Sequence, residues 1–319
     1  MKLVVLDAET LGFAAEEWQS IAALGEWVLH ASTFGEEETI ARCAGATIAL
    51  SNKVPFTRKI FESLPDLRCI SVLATGYNMI DLKAARDHGV VVCNVPAYST
   101  DSVAQHTLAM MLDWTNGLRL HAKSVRAGDW IVSPQFSYLL RPVMEFRDLT
   151  IGLIGLGAIG RRVGEIVHGL GATVLASMRN PRNPPEWERF AFVSTEEIFA
   201  RADIISLHCP LTVENHELVN KDLLATMKPK ALLINTARGG LIAEADLAEA
   251  LNDGKLGGAM LDVVAVEPMR ADNPLRTARN CWITPHIAWA SERARRRLIA
   301  ETAHNLSAFL QGKPRNVVS

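Results

Sequence analysis

A glycine motif between an apolar segment and an amphipathic segment constrains the fold of this chain more than any other feature. Gly155, Gly157 and Gly160 follow the apolar segment Ile151–Ile154 and precede the helical pattern of Arg161–Leu170. In a strand–turn–helix unit, the first glycine permits a tight turn, the second lets a pyrophosphate approach the backbone, and the third allows close helix–strand packing. The N–H groups at the start of the helix then face the phosphates. The motif predicts a dinucleotide-binding loop that depends on Gly155, Gly157 and Gly160.

Short apolar segments alternate with amphipathic segments on both sides of this motif. The segments before it are Lys2–Leu6, Trp27–His30, Ala46–Leu50, Arg68–Leu73 and Val90–Cys93. Those after it are Thr173–Met178, Ile204–His208, Leu232–Asn235, Ala259–Val263 and Trp282–Thr284. Such alternation is typical of βαβ units, whose parallel strands are covered by helices on both faces. We therefore expect an α/β fold with two doubly wound parallel-sheet domains.

Two long helical patterns organise these domains. One runs from Ser99 to Leu120, with Asp101 or Ser102 placed to cap it, and could join the domains. The other, Ser291–Leu310, comes after the last predicted strand and is expected to pack back on the first domain. The chain of 319 residues has no repeat and no Pro/Ser-rich linker, so we expect two closely joined domains with a cleft between them.

The segment Gly128–Arg147 has no clear period and contains several aromatic residues, among them Trp130, Phe136 and Tyr138. Two interpretations stay open at this point. The segment either packs on its own domain, or it forms a subunit contact and one wall of a substrate pocket. Because Trp130–Tyr138 is too apolar to be left in solvent, we expect a homodimer.

Composition and charge exclude several classes of partner. With 33 Lys+Arg against 35 Asp+Glu, the chain has no basic excess to bind nucleic acid. Its longest uncharged stretches are too short for a membrane-spanning helix, and no signal peptide precedes Asp7, so we expect a cytoplasmic protein. The odd number of widely spaced cysteines indicates neither a disulfide framework nor a metal site.

The residues after Thr173–Met178 bear on the choice of dinucleotide. An Asp or Glu at the end of this strand would bind the ribose hydroxyls of NAD, whereas an arginine nearby accommodates the 2′-phosphate of NADP. The chain has no acid between Glu165 and Glu186, but Arg179 and Arg182 lie in this region. The sequence therefore predicts NADP or NAD as cofactor, with NADPH used at least as well as NADH.

Polar residues also follow three of the predicted strands at the sheet edge where open α/β sheets bind ligands. They are Arg238, Glu267 and His286. An arginine can hold a carboxylate with two hydrogen bonds, a histidine can transfer a proton near neutral pH, and a glutamate beside it favours the protonated ring. Reversible reduction of a 2-keto acid requires these groups. Without a catalytic role, Arg238 would be a surface arginine, Glu267 an ordinary loop acid and His286 a core histidine.

In these motifs the chain resembles the D-2-hydroxyacid dehydrogenases, and among them the glycerate dehydrogenase or hydroxypyruvate reductase branch. The resemblance extends from about residue 74 to residue 290 in the family's order. The matching segments are Ala74–Asp81, Asn94–Thr107, the Gly155 loop, Ser206–Thr212, Asn235–Leu241, Asp262–Pro268 and Thr284–Ala290.

The resemblance implies a Rossmann dinucleotide-binding domain, residues 99–286, inserted in a flavodoxin-like substrate domain, residues 1–98 and 287–319. It implies that Arg238 holds the substrate, that His286 is the general acid/base and that Glu267 pairs with it. The backbone of Gly76 and Tyr77 would receive the carboxylate, and Trp289 would lie near the pocket. The cofactor contacts that it implies are Thr107, the loop residues Gly157, Ala158 and Ile159, and further Cys209, Pro210, Ala237 and Asp262.

Two other functions remain open from the residues alone. Some relatives of this fold act as corepressor-like, dinucleotide-sensing scaffolds, because fold alone does not fix function. A scaffold has no need of the acid/base pair, so the presence of Arg238, Glu267 and His286 favours an enzyme. A related dehydrogenase that acts on formate or phosphite is the other alternative.

Overall fold

The computed structural model describes residues 1–13 and 15–319 of the chain. These residues form two compact units. The first is discontinuous and consists of residues 1–99 and 290–319, and the second consists of residues 100–289.

The first unit is built on a five-stranded parallel sheet in the order β2-β1-β3-β4-β5. Its strands are β1 (Lys2–Val5), β2 (Glu26–Leu29), β3 (Ile48–Ser51), β4 (Cys69–Val72) and β5 (Val91–Cys93). Its helices before residue 100 are α1 (Gln19–Ala22), α2 (Gly35–Cys43), α3 (Arg58–Ser63) and α4 (Leu82–Asp87), with 3₁₀ turns at Ala8–Leu11 and Ala15–Trp18. All residues of β3 and β4 are buried, as expected for central strands that are covered on both faces.

The second unit is built on a seven-stranded parallel sheet in the order β12-β11-β10-β9-β6-β7-β8. Its first helices are α5 (Thr100–Asn116) and α6 (Leu118–Ala127). After them come β6 (Thr150–Ile154), α7 (Ala158–Gly169), β7 (Thr173–Ser177), β8 (Phe190–Phe192), α8 (Thr195–Arg201), β9 (Ile204–Leu207), α9 (Lys221–Ala225), β10 (Leu232–Asn235), α10 (Glu244–Asn252), β11 (Gly258–Leu261) and β12 (Cys281–Ile283). Short 3₁₀ turns occur at Phe146–Asp148, Gly239–Leu241 and Pro274–Arg276.

Apolar side chains cover both faces of this second sheet. On one face they come from α5 and α7, and on the other from α8, α9 and α10. Because the strands are parallel and adjacent, the loops that follow β6, β9, β10, β11 and β12 all leave from one edge of the sheet. These loops carry most of the residues that the sequence analysis singled out.

The C-terminal helix α11 (Glu292–Leu310) begins at Ser291, whose side chain accepts a hydrogen bond from the N–H of Ala294. The helix packs against α1 and β4 within the first unit. Its predicted return to the first domain is therefore confirmed, and two parallel sheets with helices between their strands confirm the α/β fold.

The structure corrects the sequence prediction at two places. The helix predicted from Ser99 to Leu120 ends at Asn116, because Gly117 adopts a left-handed conformation with φ +60° and α6 starts after it. The predicted caps Asp101 and Ser102 lie inside the helix, which begins at Thr100.

The edge strand β8 was not predicted, because Phe190–Phe192 has only three residues and only partial burial. The segment Gly128–Arg147 has no helix or strand before the turn at Phe146, as predicted.

Candidate active site

The loop between β6 and α7 requires two of its glycines for steric reasons. Gly155 has a φ of +99°, and a Cβ there would lie 2.7 Å from the backbone oxygen of His208. A Cβ at Gly160 would lie 2.1 Å from the backbone oxygen of Gly155. Because neither position has room for a side chain, both must be glycine for the loop to lie this close to the end of β9.

Gly157 has a different environment, because a Cβ at this position would meet nothing within 4 Å. Gly157 and Ala158 are exposed, and Ile159 is half-buried. Gly157 precedes the first residue of α7 and has no side chain that could cap the helix. The backbone N–H groups of the first turn are therefore directed to a ligand or to water, and the open approach at Gly157 fits a dinucleotide pyrophosphate.

The imidazole of His208 lies next to the glycine loop, with its Cβ 3.3 Å from where a Gly160 Cβ would lie, and its Nε2 is buried. Burial lowers its pKa from the ordinary value to about 4, because desolvation disfavours the charged ring. The ring is therefore neutral at physiological pH and packs as part of the loop's support.

The remaining predicted cofactor residues are distributed around the same edge of the sheet. Thr107 on α5 is buried, with its hydroxyl 3.2 Å from that of Thr236 after β10. Cys209 and Pro210 follow β9, and Ala237 follows β10. Arg179 follows β7 and its side chain is 75% exposed. Apart from Thr107, these residues follow strands of one sheet, namely β7, β9 and β10.

A buried asparagine shapes the turn that carries Arg238. Asn235 Nδ2 donates to the backbone oxygen of Arg238 at 2.8 Å, and its Oδ1 accepts from the N–H of Ala237 at 2.9 Å. Next to this turn, a Cβ at Gly239 would lie 1.9 Å from the backbone carbon of Val264. The turn of Arg238 therefore packs directly on the loop that leads to Glu267, and only glycine fits at residue 239.

The structure brings His286 and Glu267 into direct contact. His286 Nδ1 lies 2.6 Å from Glu267 Oε2, and the side chains are 24% and 34% exposed. Glu267 Oε1 accepts a hydrogen bond of 3.3 Å from the N–H of Val264. Because one carboxylate oxygen is bound to the backbone and the other faces the ring, the orientation of the imidazole is fixed through Nδ1. The other ring nitrogen, Nε2, is left as the atom that can exchange a proton with a substrate.

Asp262 holds the loop on which His286 lies. It is 1% exposed, and its carboxylate accepts hydrogen bonds from the Thr284 hydroxyl at 2.6 Å, the N–H of Ile287 at 2.9 Å and the N–H of Ala288 at 2.8 Å. His286 itself has a φ of +55°, which is unusual for a residue other than glycine. The three hydrogen bonds maintain this conformation from both sides of His286. The sequence pattern did not predict this supporting role.

The predicted substrate residues are located in different parts of the chain. Trp289 lies near His286 in the second unit, where its indole N–H donates to the backbone oxygen of His286 at 2.8 Å. Gly76 and Tyr77 follow β4 in the first unit, and Tyr77 is 38% exposed. The loop around them is ordered by the Thr75 hydroxyl, which donates to the backbone oxygen of Val95.

Within residues 1–13 and 15–319, no group of three or more His, Cys, Asp or Glu side chains has the geometry of a metal site. In the same described residues, no helix is both long enough and apolar enough to cross a membrane.

Comparison with known proteins identifies the family of this chain. Residues 108–288 match the family model described as D-isomer specific 2-hydroxyacid dehydrogenase, NAD binding domain. The chain is 41% identical to a hydroxypyruvate reductase of Blautia hydrogenotrophica, over 100% of both chains. It is 40% identical to a glycerate dehydrogenase of Methylorubrum extorquens, over 99% of this chain and 98% of the relative.

Among solved structures, an acyclic imino acid reductase in complex with NADPH and D-Arg is similar over 100% of both chains, with a TM-score of 0.89 and 31% identity. The names of these relatives do not favour a corepressor-like scaffold or a formate- or phosphite-type dehydrogenase.

Proposed function

The chain belongs to the D-isomer specific 2-hydroxyacid dehydrogenase family, and we propose that it reduces hydroxypyruvate or glyoxylate to the corresponding 2-hydroxy acid. As a member of this family it is an oxidoreductase that uses NAD or NADP. The observation that carries the choice of a keto acid reductase is the 2.6 Å contact between His286 and Glu267 at the edge that also carries the glycine loop. A scaffold that only senses a dinucleotide would not need this contact.

The glycine loop would hold the pyrophosphate, with Gly157 giving it access and the first turn of α7 providing N–H donors. Thr107, Cys209, Pro210 and Ala237 would contact the rest of the cofactor along the same edge. The reduced nicotinamide supplies the hydride when the cofactor is bound.

The proton comes from His286. Glu267 holds Nδ1, so Nε2 donates the proton to the carbonyl oxygen of the keto acid as the alcohol forms. The carboxylate of Glu267 also compensates the positive charge of the protonated ring before transfer. Asp262 keeps the donor in place, since it holds the N–H groups that follow His286.

Arg238 provides the positive charge that the substrate carboxylate needs. Its planar guanidinium can bind two oxygens at once, and its backbone is fixed by Asn235 and by the packing of Gly239 on Val264. The N–H groups of Gly76 and Tyr77 as further carboxylate donors, and Trp289 as part of the pocket, stay predictions that rest on the family resemblance.

The proposed function is tested by measuring the oxidation of NADH and of NADPH with hydroxypyruvate, glyoxylate, pyruvate and a larger 2-keto acid. We expect the highest kcat/KM with hydroxypyruvate or glyoxylate, and D-glycerate as the product from hydroxypyruvate. Pyruvate mixed with an amine tests imino acid reduction in the same assay. Turnover of the imine without turnover of any keto acid would replace the proposed substrate.

We also propose that NADPH is used at least as well as NADH. Arg179 and Arg182 provide positive charge after β7, and the segment between Glu165 and Glu186 contains no acid. A clear preference of the wild-type protein for NADH would contradict this proposal.

The apolar segment of residues 130–143 supports a homodimer. Ile131, Val132, Phe136 and Leu139 are 87%, 81%, 91% and 72% exposed in the single chain. So many exposed apolar side chains in one short segment are rarely left in water by a monomer. We propose that a second copy of the chain covers it.

We propose the cytoplasm as the location. The five cysteines, all within the described residues, are thiols without disulfide partners, which suits a reducing compartment. Cell fractionation followed by immunodetection tests this assignment.

A further inference from the structure

An acid from a distant part of the sequence lies next to Arg179. Glu214 belongs to the loop after β9, and its Oε2 is 3.8 Å from Nη2 of Arg179, which belongs to the loop after β7. The two side chains are 74% and 75% exposed. The sequence analysis found no acid in the segment after β7, and it had no signal for one that is 35 residues further along the chain.

Glu214 is an anion at neutral pH. Its pKa is lowered by the Thr212 hydroxyl first, then by its own backbone N–H and by the charge of Arg179. The cations of this region include Arg182 and Arg161, and the guanidinium of Arg161 donates to the backbone oxygen of Asn183 at 2.6 Å. Arg161 is therefore partly engaged in ordering the loop after β7, whereas Arg179 has an acid as its partner.

The end of β7 is the second strand end of a dinucleotide-binding unit, the position at which the 2′ substituent of the adenosine ribose is read. A 2′-phosphate carries up to two negative charges near neutral pH, so a carboxylate beside the receiving arginine acts against it in two ways. It repels the phosphate, and it occupies the guanidinium that would bind the phosphate. A ribose 2′-hydroxyl has no charge, so the repulsion and the occupied guanidinium affect its binding far less.

The pairing of Arg179 and Glu214 is exposed to solvent, so it is held weakly and can exchange. A phosphate could displace the carboxylate but not remove its charge from the site. We propose that Glu214 is a cofactor-selectivity residue, which limits the binding of a 2′-phosphorylated dinucleotide relative to its 2′-hydroxyl counterpart through its competition for Arg179. The inference rests on the proposed dinucleotide site and adds to it the element that restrains its preference for NADP.

The test measures the dissociation constants of NADP⁺ and NAD⁺ by calorimetry in the wild-type protein, Glu214→Gln, Arg179→Ala and the double variant. We expect Glu214→Gln to tighten NADP⁺ binding by about threefold to tenfold and to change NAD⁺ binding by less than about twofold. In the Arg179→Ala background the gain from Glu214→Gln should be smaller, because the two residues act on the same phosphate. The gain should also decrease at high salt, since the pair is exposed.

The matched control is Glu249→Gln on α10. Glu249 is paired with Lys221 at 3.4 Å on an exposed surface, so this substitution changes the net charge equally while it belongs to α10 and has no ion pair with Arg179. An equal gain in NADP⁺ affinity from Glu249→Gln would mean that net charge, and not the position of Glu214, is responsible.

The outcomes separate the inference from the function on which it rests. If the wild-type protein binds neither dinucleotide, the proposed dinucleotide site is wrong. If it binds both and Glu214→Gln leaves the ratio of the two dissociation constants unchanged, the selectivity role of Glu214 is overturned while the proposed function stands.

Discussion

At the scale of single residues, Asp262 connects the fold to the proton donor. Both of its carboxylate oxygens accept hydrogen bonds from the segment around His286, and the side chain is 1% exposed. Asp262→Asn would direct an amide group at one of these donors. Burying a donor that has lost its acceptor costs about 1–3 kcal/mol.

We therefore expect Asp262→Asn to lower the free energy of unfolding by about that amount and kcat by more than about tenfold. Urea unfolding and steady-state kinetics measure the two effects. Asp253→Asn is the control, because Asp253 pairs with Lys255 on the surface and is 51% exposed. If both variants behave alike, Asp262 does not position the loop of His286.

A second prediction at the residue scale concerns pH. Burial lowers the pKa of His208 to about 4, so the unfolded chain binds a proton at this residue between about pH 6.5 and pH 4 while the folded chain does not. Stability from the neutral ring is complete above this range and is lost as the pH falls through it. The full shift corresponds to about 3 kcal/mol.

His208→Phe removes this titration and keeps a planar ring. The difference in unfolding free energy between the wild-type protein and His208→Phe should shift by about 2 kcal/mol in favour of the variant when the pH is lowered from about 7.5 to about 5. His304→Phe is the comparison, because His304 is 63% exposed. A pH-independent difference for His208→Phe would show that the ring is not held neutral by burial.

At the scale of secondary-structure elements, the β6–loop–α7 unit separates folding from binding. Gly157 has open space around its missing Cβ, and so does Gly169 at the other end of α7. Gly157→Ala should therefore fold normally and bind NAD⁺ or NADP⁺ at least about tenfold more weakly, because the methyl group blocks the approach of the pyrophosphate.

Gly169→Ala should leave both stability and dinucleotide affinity close to those of the wild-type protein. Thermal unfolding and calorimetry of the two variants make the comparison. Normal dinucleotide affinity in Gly157→Ala would exclude this loop from the binding site.

Elements with a strong local sequence pattern could be predicted, and elements that depend on tertiary contacts could not. β6 and α7 were predicted because an apolar strand, glycines with fixed spacing and an amphipathic helix all occur locally. The break at Gly117 was missed, because a glycine within a helical pattern is tolerated in many helices and ends one only when tertiary contacts favour a left-handed residue. β8 was missed because its three residues are stabilised by pairing with β7, which is not visible in its own sequence.

The candidate site was predictable in part. Arg238, Glu267 and His286 could be singled out as candidates because each follows a strand at the edge where α/β sheets bind ligands. The contact of Arg179 with Glu214 and the hydrogen bonds of Asp262 join residues that are distant in the chain. Such contacts depend on the order of the strands in the sheet, and periodicity does not report that order.

At the scale of the whole molecule, the exposed apolar segment predicts the state of assembly. We expect sedimentation to give a dimer at micromolar concentration, and we expect Phe136→Glu to weaken the dimer, because it places a charge in an apolar contact. Phe34→Glu is the matched control, since Phe34 is 79% exposed but lies in the first unit, outside the apolar segment. A wild-type monomer, or equal dissociation in both variants, would contradict a dimer formed through this segment.

The central claim is that His286, held through Nδ1 by Glu267, supplies the proton for keto acid reduction and is not needed to bind the dinucleotide. The most direct measurement is kcat for hydroxypyruvate reduction by the wild-type protein and His286→Ala, each at saturating reduced cofactor, together with the dissociation constant of that cofactor. We predict a kcat about 10²- to 10⁴-fold lower in the variant, with cofactor affinity nearly unchanged. A variant that turns over hydroxypyruvate within about threefold of the wild-type kcat would remove His286 from the mechanism and contradict the account.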